Sequence, residues 1–215
     1  MGANNSTRST ILNDIRNALG TATADPDAGW QALPRNYKRA GALTTAEHLQ
    51  LLEDRLIDYD AAVYHCSEPE IRESVAKILT ARGKKRLAIP AGLPTAWLPE
   101  GFEFVEADTL AATALDKLDG TVSAATLAIA ETGTILLQTQ PGQGPRKLSL
   151  VPDSLLSIVF VRDVVETVPE AFDRIRDTAA LPTTFISGPS ATADIEMTRI
   201  KGVHGPRTLD VLLVN

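Results

Sequence analysis

The sequence predicts an α/β fold in which a largely parallel sheet is covered by helices on both faces. From residue 61 onward, short apolar runs of strand character alternate with segments of helical period, and the connections between them are short. That order is what a parallel sheet with crossover helices requires. The length agrees, since 215 residues suffice for one well-buried α/β domain with an extension. The chain is accordingly divided into an N-terminal helix and extended arm over 1–43 and an α/β domain over 44–215.

Each element follows from its residues. Ile11, Ile15 and Leu19 recur at every fourth position over 9–19, and Gly20 stands where a helix ends, so a short amphipathic helix is expected. Residues 21–41 hold Pro26, Pro34 and two glycines without a sustained period and read as an arm, with Trp30 and Tyr37 as packing residues. Thr44 and Glu47 form a capping box ahead of Leu49, Leu52 and Leu56, which opens the main domain with a helix. Strands are then expected at 61–66, 86–90 and 102–106, with a helix over 69–83 ending at Gly83 and another near 109–118. Two β-type runs, 126–131 and 134–140, are separated by little more than Thr132 and Gly133, which predicts a tight turn or hairpin. A strand at 156–162, a helix at 169–180, a strand at 183–188, a helical turn at 191–199 and a last strand at 209–215 complete the reading.

Composition excludes several classes. A formal net charge of -6 disfavours a binder of nucleic-acid backbone, and 5% aromatics leave little for base stacking. Cys66 is the single cysteine, so neither an internal disulfide nor a multi-thiolate metal site is available to one chain. That suits a reducing cytoplasm. No apolar run reaches the ~20 residues of a membrane span, and the N-terminus lacks the order of a signal peptide. Met1–Ser6 fits a myristoylation pattern, and Asn4 and Asn5 open glycosylation triplets, but a tail of small polar residues reads better as a solvated end.

Three segments can carry chemistry. Glu131 ends an apolar strand before a glycine turn, with Thr132, Gly133 and Thr134 beside it, which places a carboxylate at a sheet end as base, nucleophile or orienting acceptor. The same glutamate can equally pin the turn by hydrogen bonds. In ISGPSATADIE, Gly188 permits close backbone approach and Ser190, Thr192, Asp194 and Glu196 surround an expected helix start, an arrangement suited to a carboxylate or phosphate. Simple helix capping accounts for those residues as well. His204 stands between Gly202 and Gly205 before the final strand as an acid–base or anion-binding candidate, whereas His48 in a helix and His65 in a strand do not join it in sequence. GQGPRK (142–147) lacks the spacing of a phosphate-binding P-loop and reads as a mobile loop, with Arg146 and Lys147 available to an anion.

AIAETGTILL, ISGPSATADIE and VHGPRTLDVLLV, in that order, resemble the lactate utilisation protein C family, whose module is the LUD domain. The motifs fill the C-terminal half, and the N-terminal half agrees only in general pattern. The resemblance implies a three-layer open α/β sandwich similar to the sugar-phosphate isomerase and CoA-transferase (NagB/RpiA) superfamily. It further implies a non-redox subunit of a three-component system oxidising L-lactate to pyruvate, with the iron–sulfur and cysteine-rich subunits as partners. The lone Cys66 agrees with that division, because a cluster normally takes four Cys. No cofactor is expected on this chain, and its ligand would be a small anionic metabolite. The family pattern carries a histidine near the position held here by Leu155, a departure that bears on catalysis by this chain. Two further readings stay open: a free-standing enzyme on a phosphorylated or CoA-linked metabolite with Glu131 as nucleophile or base, and a structural binder whose glycines only shape loops.

Overall fold

The computed structural model describes residues 3–20, 25–192, 200–201 and 205–215, and the chain divides into two compact units, Met1–Tyr37 and Lys38–Asn215. The first unit holds helix α1 (Ala3–Leu19), longer than its apolar period indicates, and helix α2 (Pro26–Gln31). The second helix departs from the extended arm expected there. Six residues are too few to display a period, yet Asp25 caps the Asp27 N–H and Pro26 stands in the first turn, where its missing donor costs nothing. Within the same unit the Arg35 guanidinium lies 4.9 Å over the Trp30 ring.

The larger unit begins its regular structure with α3 (Thr45–Asp58), started by the expected capping box: the Glu47 N–H donates to Thr44 Oγ1 at 3.3 Å and the Thr44 N–H to Glu47 Oε2 at 2.8 Å. Then follow β1 (Ala62–Cys66), α4 (Ile71–Ala81), β2 (Arg86–Ile89), β3 (Glu103–Glu106), α5 (Ala112–Leu115) and β4 (Gly120–Ala124). The hairpin strands β5 (Leu127–Ile129) and β6 (Thr134–Gln138) precede β7 (Ser154–Phe160), β8 (Val164–Val165), α6 (Val168–Arg174) and β9 (Thr183–Ile186). The last strands are β10 (Ala191–Thr192), β11 (Ile200–Lys201) and β12 (Thr208–Val214).

Six strands form one wholly parallel sheet in the order β1-β12-β7-β4-β2-β3, which bears out the α/β expectation. A second sheet, β8-β5-β6-β9, contains the antiparallel hairpin and one parallel pair, β5 with β8. Strand alternation sorts the core. Leu155, Val159, Leu209, Val211 and Leu213 face Leu52 and Leu56 of α3 and Ala128, Ala130 and Ile135 of the second sheet. The opposite faces of the same strands, through Leu156, Ile158, Leu212 and Val214, meet Ile71, Val75, Ile78 and Leu79 of α4. The far side of the second sheet packs Leu127, Ile129 and Leu136 against Ala171 and Ile175.

Three local expectations are corrected. Ala191 and Thr192 are strand, paired with Lys201 and Ile200, and not the start of a helical turn; residues 193–199 lie outside the described set. Only Ala112–Leu115 of the helix expected near 109–118 is helical. GQGPRK, expected as a loop, holds a hydrogen-bonded turn at Gly142 and Gln143 and opens a short 3-10 helix (Arg146–Ser149). Gln143 Oε1 accepts from the Gln138 N–H and the Thr126 hydroxyl, each at 2.7 Å, and Lys147 Nζ donates to the Leu110 carbonyl at 2.7 Å.

One charge is buried in the α4 face of the large sheet. Asp210 on β12 is held by Arg82, just past α4, through Nη2 at 2.6 Å and Nε at 3.1 Å. The bonds to Asp210 hold the Arg82 guanidinium above its ordinary pKa. Removing the partner leaves a carboxylate without compensation, so Arg82→Met is expected to lower unfolding stability by about 3 kcal/mol, the low end for breaking such a pair. Urea unfolding checks this, and Arg82→Met with Asp210→Leu should recover part of the loss.

Candidate functional site

The parallel pairing of β5 with β8 continues past both strands: the Ala130 N–H donates to the Val165 carbonyl at 2.9 Å and the Glu131 N–H to the Glu166 carbonyl at 3.0 Å. Two glutamates therefore leave adjacent strand ends side by side. Their repulsion is relieved by Lys38, whose Nζ donates to Glu131 Oε1 at 2.7 Å and to Glu166 Oε1 at 2.5 Å. The three groups differ in access. The side chain of Glu166 is 4% exposed, that of Glu131 37% and that of Lys38 49%. The bonds to Glu131 and then to Glu166 hold the Lys38 ammonium above the ordinary lysine range. Glu166 is held below the ordinary carboxylate range, first by Lys38 and next by the Leu43 N–H, which reaches Oε2 at 2.8 Å.

The segment carrying Lys38 is fastened by the same acids. Burial pushes Glu170 up, but amide and hydroxyl donors outweigh it and leave its pKa lowered. Those donors are the Gly41 N–H at 3.0 Å on Oε1, and on Oε2 the Thr167 and Glu166 N–H groups at 2.8 and 3.1 Å and the Thr167 hydroxyl at 3.1 Å. Gly41 is required by crowding, since a Cβ there collides with the Glu166 side chain. Beside this triad a cleft of about 520 Å³ is lined by Leu43, His48, Val164, Glu166, Glu170 and Arg174. His48 Nε2 is buried there without a hydrogen-bond partner among the described residues.

The turn after Glu131 supplies hydroxyls. Gly133 takes φ 57° and its N–H closes on the Ala130 carbonyl at 3.3 Å; a Cβ there would lie 2.7 Å from that of Arg55. Thr132 and Thr134 hydroxyls are 2.7 Å apart, and Thr134 meets the Ser187 hydroxyl at 2.7 Å because β6 pairs Ile135 with Ile186. The site therefore offers an ammonium, a half-exposed carboxylate and a line of hydroxyls. Among the described residues no group of three His, Cys, Asp or Glu is placed to hold a metal ion.

A family model for the LUD domain matches residues 97–214. Lactate utilization protein C of Deinococcus radiodurans is 40% identical over 187 residues, covering 86% of this chain and 87% of that protein. The chain belongs to the LUD domain family. Lactate utilization protein C of Bacillus subtilis is 37% identical over 95 residues, 41% of this chain and 39% of that one. The crystal structure of a DUF162 family protein from Deinococcus radiodurans superposes with a TM-score of 0.71 at 36% identity, covering 81% of this chain and all of that one.

The structure brings Glu131, Thr132, Gly133 and Thr134 into one cluster and adds residues that sequence reasoning missed: Lys38, Glu166, Glu170, Ser187 and His48. Gly188, at φ 84°, serves close packing against Tyr59, whose Cβ would stand 2.6 Å from an added Cβ. The neighbour it admits is thus its own chain. The Ser190 N–H donates to the Pro206 carbonyl at 2.8 Å, and Thr192 lies on β10. Asp194, Glu196 and His204 lie outside the described residues. Leu155 is buried between the two sheets.

The pH dependence has a definite sign. Because the Glu166 pKa is lowered on folding, its contribution is complete above the unfolded value of about 4.3 and disappears as pH falls through the lower folded value. The Lys38 contribution is complete below about 10.4 and disappears only above its raised value. Thermal unfolding followed from neutral pH into acid should show a steeper fall for wild type than for Glu166→Gln, while both keep similar slopes between about pH 6 and 8.

Proposed function

We propose that this chain is a non-redox component of a lactate-utilisation system and binds a small hydroxy or keto acid at the Lys38–Glu131–Glu166 site. The observation that carries the reading is the geometry of Lys38. Two of its three ammonium hydrogens are engaged by Glu131 and Glu166, which leaves the third for a ligand carboxylate. Thr132, next to Glu131 in the chain, is exposed, and Glu131 Oε2 has no hydrogen-bond partner among the described residues and can accept from a ligand hydroxyl. The names of the relatives supply the pathway: two of those matched here are lactate utilization protein C.

Electron transfer belongs to partners in this reading. The single Cys66 is buried, and burial pushes its thiol up, which suits neither cluster ligation nor redox exchange. Iron–sulfur and cysteine-rich subunits, a cytoplasmic setting and kinship with the sugar-phosphate isomerase and CoA-transferase superfamily are parts of the same proposal. No helix among the described residues is long and apolar enough to cross a membrane.

A second reading makes Glu131 the nucleophile or base of a free-standing enzyme on a phosphorylated or CoA-linked metabolite. Its partly exposed position favours it, but Lys38 donates to Oε1 at 2.7 Å and so occupies one of the two oxygens available for either role. Lysates of a strain deleted for this chain, complemented with wild type, Lys38→Met or Glu131→Gln, separate the readings through L-lactate-dependent dye reduction. Loss on deletion with rescue by wild type and at most a tenth of that rate from either variant is expected, a rough figure for losing one charged ligand contact. Unchanged lactate oxidation in the deletion strain contradicts the proposal.

A further inference from the structure

The large sheet has a topological switch point away from the glutamate site. From β2 the chain runs outward to the edge strand β3, whereas from β4 it runs the other way, toward β7 and β12. Adjacent strands whose connections diverge leave a crevice beyond their carboxyl ends, where ligands of open α/β sheets bind. Gly142 floors that crevice by bridging both strand ends: its N–H donates to the Ala91 carbonyl at 2.8 Å, and its carbonyl accepts from the Ala124 N–H at 2.9 Å. A cavity of about 320 Å³ lies there, lined by Ala91, Gly92, Asp108, Thr139, Gln140 and Gly144. It is at the small end of ligand pockets, the size of a single sugar.

The chemistry of the lining decides against phosphate. A phosphate loop works by presenting unpaired backbone N–H groups. Here the amides are consumed internally, with those of Gln143 and Gly144 both donating to the Gln140 carbonyl at 3.1 Å and that of Gly142 to Ala91. The charged group in the lining is the Asp108 carboxylate. Its Oδ1 accepts from the Ala91 N–H at 3.1 Å, and Oδ2 has no hydrogen-bond partner among the described residues. Thr139 and the Gln140 amide both donate and accept. A free carboxylate oxygen beside two such neutral groups matches adjacent hydroxyls, which also do both.

We propose that this crevice is a second small-molecule site, separate from the glutamate site, which takes the vicinal diol of a sugar or of a nucleoside ribose with Asp108 Oδ2 as the acceptor. Amide NMR of the full chain titrated with adenosine, D-ribose, dideoxyadenosine and inorganic phosphate tests it. Adenosine should shift the Gly92, Asp108 and Gly144 amides saturably, while dideoxyadenosine and phosphate leave them in place. D-ribose reproducing the shifts marks a sugar site, and adenosine alone a nucleoside site. Asp108→Asn keeps an acceptor for the Ala91 N–H, so the fold should persist while affinity falls about ten-fold. Thr139→Val, at an exposed position, supplies a second weakened variant that does not touch that bond. Absence of saturable shifts from both diols, an equal response to dideoxyadenosine, or phosphate moving the same amides overturns the assignment.

Discussion

Two carboxylates on neighbouring parallel strands cannot both ionise cheaply unless a cation stands between them. The continuation of the β5–β8 ladder to Glu131 and Glu166 creates that situation, and Lys38 resolves it. Much of the surrounding local structure serves the contact. Gly41 yields the space that Glu166 occupies, the Leu43 N–H satisfies the second Glu166 oxygen, and Glu170 ties the Gly41 amide to the cap of α6. Glu166 is buried and fully engaged, whereas Glu131 is half open. The buried acid holds the lysine in place, and the other keeps part of its surface open to solvent.

The fold places this cluster by separating two tasks. The six-stranded parallel sheet carries most of the apolar core and fixes the second sheet through Ala128, Ala130 and Ile135 on one side. The second sheet then brings a hairpin turn, a parallel strand end and the end of β9 together. Thr132, Thr134 and Ser187 line up because β6 pairs with both β5 and β9. A turn so assembled presents side chains from three strands on a rigid base, which orients a small ligand better than a free loop does.

Much of the scaffold was legible because local physics determines it. Thr44 and Glu47 cap α3 by a contact within four residues, and the period through Ile71, Val75, Ile78 and Leu79 is visible without any partner. The Thr132–Gly133 turn announced the hairpin. The helical start expected after Pro189 failed because Ala191 and Thr192 pair with residues beyond the segment. The site was only half legible for the same reason: Lys38 meets Glu131 across 93 residues and Glu166 across 128, inside a stretch with no period. Thr167 and Glu170 cap α6 through a local signal that the sequence reading did not use, and nothing local marked Glu166 as the neighbour of Glu131.

The carboxyl group of Glu166 can be followed directly by carbon-13 NMR through an acid titration, in wild type and in Lys38→Met. With Lys38 present, the Glu166 carboxyl should titrate below the ordinary glutamate range. With Lys38 removed, the Glu166 carboxyl should move upward, because the contact that lowers it most is lost and the neighbouring Glu131 charge then opposes it. Indistinguishable titrations in the two proteins would contradict the lysine clamp and, with it, the site built around it.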